Sequence, residues 1–483
     1  MATPLFRAII DGWLKEVANN VDENQFDDPN YYAFDPRVLL SSSRPETFGI
    51  GTGHQILKDA LSACELAQHE VIIVTCFWAK SDSRDDVVAL LRTLSDRAVR
   101  NGSGKIQVRI CFSSYSVWQK LTQTGRIRGA TYAPSTARFS SWARLGLPSP
   151  EEIPGLNLVV KSVFVRPFSV MHPKFIIIDR QRAFLPSCNV SWEGWFEGCI
   201  ELTGPAVGKL FEFWDEFWSR GGASLDGFHP PAQSELSSLI DETAGSKVRV
   251  STQPILQIDV SKTAQRKIPT ILLPSPHHRQ IDACPGVNLF LLSQRPPPPT
   301  PLNVFLTQAF RAAKKSIYIQ TPNLTCRAVK ALVVEALSRG VNVRIVTSKR
   351  LMLLEQIVTA RTVTEVELHG LKRTYASMMK NYERTVMNDP EIDCQAPGEL
   401  SIGYYHPKDS AELQGDNEEP VKSHLKLTIF DEEVVVLGSG NMDHASWYTS
   451  QELGIALFST EIAELIRKGV EQCLEGRVSN IPI

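Results

Sequence analysis

The chain has 483 residues, 43% of them hydrophobic and 22% charged, which is typical of a globular protein with room for two or three domains. Its 51 basic and 53 acidic residues nearly cancel, so no overall positive charge indicates binding to nucleic acid or anionic lipid. No apolar run reaches the roughly 18 residues that a membrane span needs, and no signal peptide or presequence is evident.

The first predicted element is an amphipathic helix in PLFRAIIDGWLKEVA, residues 4–18. Its polar side carries few cations, so we expect the apolar side to dock on the protein's own core and not on a membrane surface. We assign residues 1–44 to this N-terminal helix and its extension.

Two segments of the chain then show the same order of elements. In residues 45–221, a helix (54–68), a buried strand (70–78), a helix (85–102) and a strand (105–112) follow one another. In residues 301–483 the corresponding elements are 304–315, 316–324, 328–340 and 341–348. The pattern predicts an internally duplicated α/β fold in which two pseudo-symmetric halves each contain a mixed sheet flanked by helices.

The region between the predicted halves, residues 222–300, is poorly periodic and ends in the proline-rich sequence RPPPPTP. We interpret it as an irregular linker that includes a packed strand at TILLP, residues 270–274.

A repeated motif is the strongest signal in the chain. His172, Lys174 and Asp179 recur at the same intervals as His424, Lys426 and Asp431, 252 residues later. An asparagine follows each aspartate by ten residues, and a serine stands two residues before each asparagine; these residues are Asn189, Asn441, Ser187 and Ser439. Fixed spacing at such a distance is hard to produce by accident.

The motif residues predict an anion-binding pocket if the two halves pack together. On an extended chain the histidine and lysine of each motif face the same side, whereas the aspartate faces the other. We therefore interpret Asp179 and Asp431 as structural residues. Two histidines, two lysines and two asparagines would suit a phosphodiester, and Glu201 and Glu452 are the carboxylates expected to orient the imidazoles.

The paired H-x-K-x-x-x-x-D motifs, each followed by an S-x-N element, resemble those of the phospholipase D superfamily. The second copy, Gly438-Ser439-Gly440-Asn441, is similar to the family pattern; the first has Pro186 and Cys188 where glycine is usual. The resemblance implies an active site at the interface of the halves and a two-step reaction through a phosphohistidine, with His172 as the nucleophile and His424 as the general acid and base.

Within this superfamily, the two-motif single chain is closest to the cardiolipin synthase and phospholipase D branch, which implies a phospholipid substrate and water or an alcohol as acceptor. A nuclease or nucleic-acid phosphodiesterase is the alternative, and a catalytically inactive lipid-binding scaffold is a second one. Aromatic side chains near the motifs would either line a lipid groove or pack in the core; they are Trp192, Trp195, Phe196, Trp447 and Tyr448.

No cofactor or metal is expected, because no cluster of His, Cys, Asp or Glu at ligand spacing accompanies the motifs. The nine cysteines form no C-x-x-C pair and several stand in apolar runs, which favours reduced thiols. We expect a monomer in the cytoplasm, with peripheral contact to a membrane left open.

Overall fold

The protein is described here by a computed structural model. It describes residues 4–102, 104–116, 119, 129–134, 141–165, 169–220, 254–261, 267–276, 296–389, 394–408 and 418–483. Within these residues the predicted duplicated α/β fold is confirmed: the two halves contribute strands in the same order to a mixed sheet flanked by helices.

The N-terminal segment packs on the body of the protein. It consists of α1 (Pro4–Asn19), α2 (Val21–Asn24) and a 3-10 turn (Pro36–Leu39). Ile9, Trp13 and Val17 of α1 are fully buried, and the Trp13 indole donates a hydrogen bond to the carbonyl oxygen of Pro301 at 2.9 Å. The apolar side of α1 therefore docks on the core, as its few cations predict.

The first half begins with a long strand and continues with the predicted alternation of helices and strands. Thr52 caps α3 through a capping box with Gln55, and Gly102 ends α4 in a left-handed conformation with φ of 61°. The elements are β1 (Leu40–Thr52), α3 (Gly53–Cys64), β2 (Glu70–Phe77), α4 (Asp82–Asn101), β3 (Ile106–Ser114), β4 (Ala130–Tyr132), α5 (Trp142–Leu145), β5 (Leu156–Ser162), β6 (Phe164–Val165), β7 (Ser169–Val170), β8 (Phe175–Ile178), β9 (Arg182–Pro186), β10 (Phe196–Thr203) and α6 (Pro205–Trp218).

The described part of the predicted linker contains two strands, β11 (Leu256–Asp259) and β12 (Ile268–Ser275). The second includes the TILLP sequence, and both strands pair with β1. Residues 221–253, 262–266 and 277–295 lie outside the described residues. This region therefore contributes to the sheet, a larger role than a connection between two domains.

The second half repeats the arrangement of the first. Its elements are α7 (Pro301–Ala312), β13 (Ser316–Gln320), α8 (Arg327–Ser338), β14 (Asn342–Ser348), α9 (Leu353–Ala360), α10 (Thr364–Asn388), β15 (Leu400–Tyr405), β16 (Leu427–Phe430), β17 (Val434–Gly438), α11 (His444–Tyr448), β18 (Glu452–Phe458), α12 (Thr460–Leu474) and β19 (Val478–Asn480).

The strand order is the same in both halves. In the first half the neighbours run β5-β3-β2-β8-β9-β10, and in the second β15-β14-β13-β16-β17-β18. The first three strands of each series are parallel and the others are antiparallel. Next to β10 lies β1 and next to β18 lies β12, and because β1 and β12 pair with each other, the described strands of both halves form one continuous sheet.

Both motif aspartates stand in the turn that follows the motif strand, in a left-handed conformation with φ of 48° at Asp179 and 52° at Asp431. Their carboxylates accept backbone N–H hydrogen bonds at 2.7–3.0 Å; the donors are Gln68, His69 and Glu70 for the first and Lys314, Lys315 and Ser316 for the second. Each aspartate therefore ties the motif strand to the start of a neighbouring strand, at the end away from the motif histidine.

We expect Asp179→Asn to act on stability more than on chemistry. Asparagine tolerates the left-handed backbone, but it offers one acceptor oxygen where the carboxylate uses both, and its amide would face the Gln68 N–H. The free energy of unfolding should fall by roughly 1–3 kcal/mol. Urea unfolding measures this effect, and a variant that unfolds like the wild type would contradict it.

Candidate active site

The two motif histidines are held by backbone hydrogen bonds that cross from one half of the protein to the other. The N–H of His172 donates to the carbonyl oxygen of Gln451, and the N–H of His424 donates to that of Phe196, each at 2.9 Å. Isolated parallel bridges at Met171 and Ser423 continue these contacts. Each acceptor residue immediately precedes a glutamate, so each histidine lies beside a carboxylate of the other half.

Each imidazole pairs with that carboxylate. His172 Nδ1 lies 2.9 and 3.0 Å from the two carboxylate oxygens of Glu452, and His424 Nδ1 lies 2.7 Å from Oε1 of Glu197. Both carboxylates are buried. Because a neutral imidazole that donates from Nδ1 carries its lone pair on Nε2, the pairs leave Nε2 as the reactive nitrogen of each histidine.

The two motif serines hold the same carboxylates from the other side. Ser187 Oγ donates to Glu197, and Ser439 Oγ donates to Glu452. Ser446 Oγ donates a further hydrogen bond of 2.7 Å to Glu452. Each half therefore presents a serine-fixed glutamate to the histidine of its neighbour.

The prediction that Glu201 orients an imidazole is wrong. Its carboxylate accepts hydrogen bonds from Arg182 at 2.5 and 2.9 Å and from Thr47 at 3.0 Å, and it contacts neither motif histidine. Four residues along β10 separate it from Glu197, a distance of roughly 13 Å on a strand. Glu197, which the sequence interpretation missed, occupies the expected place.

The error has a local cause, an unequal loop length in the two halves. Glu452 follows Asn441 by 11 residues, whereas Glu197 follows Asn189 by only eight, because the loop of the second half contains the short helix α11. An equal interval from asparagine to glutamate in both halves therefore favoured a residue further along the chain than Glu197. The usable signal was position in the strand, because Glu452 is the first residue of β18 and Glu197 is the second residue of β10.

The motif lysines are buried beside the histidines. Lys174 Nζ lies 2.9 Å from the carbonyl oxygen of His172. Lys426 Nζ lies 2.7 Å from the carbonyl oxygen of His424 and 2.8–2.9 Å from its ring nitrogens. These two ammonium groups place positive charge next to both imidazoles.

The motif asparagines are also close to the histidines. Asn189 Oδ1 accepts a hydrogen bond from the backbone N–H of Phe77 at 3.3 Å, and Asn441 Nδ2 donates to Asp443 at 3.0 Å. Within the described residues, the buried Oδ1 of Asn441 has no hydrogen-bond partner. Each amide therefore keeps hydrogen-bonding capacity for a ligand.

One cavity of about 180 Å³ brings these groups together. Motif residues of both halves line it, namely His172, Asn189, His424 and Asn441, with Glu452 beside them. Its other lining residues include Phe77, Val170, Glu193, Trp195, Met352, Glu355 and Asp443. The structure thus places the predicted histidines and asparagines around a common space.

Only part of the predicted aromatic set contributes to the cavity. The Trp195 ring lies 4.6 Å from the His424 ring, centroid to centroid. Trp192 is 64% exposed, whereas Phe196, Trp447 and Tyr448 are buried in the core. Trp195 therefore lines the cavity, whereas Phe196, Trp447 and Tyr448 pack in the core.

Burial and the neighbouring charges set the protonation of the site. Burial and two nearby ammonium groups lower the pKa of His172 well below its usual value, and burial lowers the pKa of His424 to about 3. Burial would raise the pKa of Glu197, but His424 and Lys426 outweigh it and lower that pKa. Burial raises the pKa of Glu452 to about 7 and lowers that of Lys426 to about 7. Both shifts favour the neutral imidazole in the free protein.

Within the described part of the chain, no group of three or more His, Cys, Asp or Glu side chains is placed to hold a metal ion. No helix among these residues is long and apolar enough to cross a membrane.

Comparisons with known proteins place the second half in a described family. A family model for the phospholipase D-like domain of cardiolipin synthase matches residues 306–474. A comparison with curated protein sequences found no match.

Solved structures resemble this chain to different extents, and one of the three that follow has a TM-score above 0.5. Phosphatidylserine synthase from Haemophilus influenzae is 11% identical with a TM-score of 0.52, and the match covers 97% of this chain and 92% of that chain. Polyphosphate kinase from Porphyromonas gingivalis is 11% identical over 89% of this chain and 47% of its own, with a TM-score of 0.41. Nuc, a phospholipase D family member from Salmonella typhimurium, is 18% identical over 38% and 91%, with a TM-score of 0.24.

The depressed pKa of His424 predicts a loss of stability in mild acid. The unfolded chain protonates this histidine below its ordinary pKa of 6.5, whereas the folded protein does not do so until about pH 3. The unfolded state therefore binds more protons in that window, and the free energy of unfolding falls as the pH falls, by about 1.4 kcal/mol per pH unit for this group.

His424→Asn removes the titrating group and keeps an N–H donor for Glu197. Urea unfolding between about pH 7.5 and about pH 5.5 should therefore show a shallower pH dependence in the variant. Parallel curves for the two proteins would contradict the assignment of a neutral His424.

Proposed function

We propose that this chain, whose second half matches the family model for the phospholipase D-like domain of cardiolipin synthase, cleaves or transfers the phosphatidyl group of a phospholipid through a phosphohistidine. The observation that carries the proposal is the crossed pair of histidines. Each imidazole has Nδ1 fixed by a buried carboxylate of the other half, and both line the same cavity.

In the proposed first step, the Nε2 lone pair of His172 attacks phosphorus, an N–P bond forms, and the bond from phosphorus to the head-group oxygen breaks. His424 donates a proton to that oxygen. In the second step His424 takes a proton from water or an alcohol, whose oxygen attacks phosphorus and breaks the N–P bond.

Protonation of His424 before the first step requires a change in its surroundings. A bound phosphodiester adds a negative charge to the cavity, which raises the pKa of a nearby imidazole and favours uptake of a proton. The cations of Lys174 and Lys426 and the amides of Asn189 and Asn441 are close enough to the histidines to stabilise the more negative transition state. In the free protein the Lys426 ammonium contacts the ring nitrogens of His424. A phosphate oxygen of the substrate would become its partner instead.

The cavity lining favours a phospholipid over a nucleic-acid strand. Glu193 and Glu355 line the cavity together with the histidines, and carboxylates there repel the neighbouring phosphates of a polyanionic strand. A phospholipid brings a single phosphate. Oε2 of Glu193 is buried without a hydrogen-bond partner among the described residues, so it could accept a hydrogen bond from a hydroxyl or ammonium of a head group.

The proposal is tested by incubating the protein with phosphatidylglycerol, phosphatidylcholine or single-stranded DNA in detergent, with and without glycerol. We expect phosphatidate, cardiolipin or a new phosphatidylglycerol, and turnover that persists in a chelator. Release of nucleotides without a lipid product would assign the nuclease alternative. If no product forms, or if its formation does not depend on His172, the result would assign the inactive scaffold alternative.

The corrected carboxylate assignment predicts a large loss of turnover for Glu197→Gln and almost none for Glu201→Gln. Glu197→Gln removes the charge that holds His424 Nδ1, and turnover should fall roughly 100-fold or more. Glu201→Gln changes a carboxylate of the same strand that contacts Arg182 and not a histidine, so turnover of the folded protein should change little. Steady-state rates of the two variants measure the difference, and equal losses would contradict the assignment.

The proposed histidine roles predict different covalent adducts. With an activated nitrophenyl phosphodiester, whose leaving group needs no proton, His424→Ala should still be phosphorylated slowly and should then stall, because no base activates water. His172→Ala should form no adduct. Intact-protein mass spectrometry without acid quenching detects the adduct, and the reverse pattern would exchange the two roles.

A further inference from the structure

The helix α9, at the cavity, has its apolar residues on the outside. Leu354 is 77% exposed and Ile357 is 54% exposed, and Leu353 and Val358 beside them are also exposed. The polar Gln356 is instead buried, where its amide donates to the carbonyl oxygen of Leu351 at 2.6 Å and its Oε1 accepts from the Thr364 N–H at 2.7 Å. This arrangement is the reverse of a helix that packs on a protein core.

The backbone conformation at both ends of α9 fixes the helix with its apolar side facing outward. Arg350, Met352 and Arg361, at its two ends, all adopt left-handed conformations with φ between 51° and 54°. Such conformations are unfavourable for residues other than glycine and persist where the surrounding structure requires them. The buried hydrogen bonds of Gln356 are one such requirement.

Apolar side chains continue from α9 around the mouth of the cavity. Trp192, 64% exposed, packs edge-to-face on Phe77, which lines the cavity. Val421 is 52% exposed, and its N–H donates a hydrogen bond to the carbonyl oxygen of Gly194, two residues after Trp192. We call this set the rim surface; it consists of Trp192, Leu353, Leu354, Ile357, Val358 and Val421.

Cations lie next to the rim surface. Lys349 and Arg350 precede α9 and Arg361 follows it, and all three are exposed. Lys422, next to Val421, donates a hydrogen bond to the carbonyl oxygen of Lys349 at 3.0 Å, which connects the two ends of the rim. These four cations outnumber the one exposed carboxylate of α9 itself, Glu355, which borders the cavity.

We propose that the rim surface docks on an anionic phospholipid bilayer and thereby places the cavity mouth at the lipid surface. Exposed leucine, isoleucine and tryptophan side chains enter the head-group region, and the flanking cations attract its phosphates. This inference deepens the proposed function, on which it rests, because it names the membrane as the source of the substrate.

Two observations favour a bilayer over a second copy of the chain as the occupant. The same cations would face one another in a symmetric contact between copies and would repel. Met352 and Glu355 border the cavity on the same segment, so a second copy seated on α9 would crowd the site that the substrate must enter. A bilayer covers the rim surface and delivers the substrate together.

The test compares two double variants in the His172→Ala background, in which vesicles are not consumed. Leu354→Asp with Ile357→Asp alters the rim surface. Leu66→Asp with Val99→Asp alters two residues of similar exposure, 59% and 57%, at the other end of β2, roughly 20–25 Å from Phe77. Sedimentation with vesicles of equal parts phosphatidylcholine and phosphatidylglycerol measures binding, and gel filtration measures oligomeric state.

We expect the rim variant to lose at least about tenfold in vesicle binding and the control variant to bind like its parent. Equal binding of all three proteins would overturn the inference. So would a rim variant that alters the oligomeric state while none of the proteins binds vesicles, because that result assigns the surface to a second copy.

A parallel assay with active protein separates this inference from the proposed function. Turnover of vesicle phosphatidylglycerol is divided by turnover of monomeric dihexanoyl-phosphatidylglycerol, and the rim variant should lower this ratio at least about tenfold. An unchanged ratio would overturn the docking role with the function intact. Vesicle binding without turnover of either lipid would overturn the proposed function and support the docking role.

Discussion

The crossed hydrogen bonds between histidine and glutamate are the constraint on which the rest of the site depends. Glu197 and Glu452 are buried carboxylates, and each has its imidazole partner in the other half of the chain. Removal of one partner would leave a buried polar group without its hydrogen bond, which typically costs about 1–3 kcal/mol and more for a charged group. The halves must therefore keep the relative position in which these hydrogen bonds are 2.7–3.0 Å long.

The sheet provides the frame that meets this restriction. The pairing of β1 with β12 joins the strands of the two halves, and the backbone hydrogen bonds of His172 and His424 join them again at the cavity. Both connections use main-chain groups, so they do not depend on the side chains that differ between the halves. One hydrophobic core runs through residues of both halves and fills the space between these connections.

The sequence allowed the duplicated fold and the two histidines to be predicted, because strand alternation and motif spacing are local properties. The carboxylate partners of the histidines were harder to predict, because the pairing of glutamate with histidine depends on loop length and on contacts across 280 residues. Glu452 was expected and Glu197 was not. The structural role of Asp179 was predicted from side-chain alternation, but the structure places it in a left-handed turn at the far end of the strand. The outward leucines of α9 depend on the buried Gln356, which no periodicity indicates.

The separation of 280 residues between His172 and Glu452 also has a consequence during synthesis of the protein. At about 5–20 residues per second, the ribosome adds the glutamate roughly 15–60 s after the histidine. The first half can fold on its own strands in that time, but its imidazole has no carboxylate until the last tenth of the chain has emerged. His172 therefore gains its carboxylate partner, and the cavity its complete lining, only near the end of synthesis.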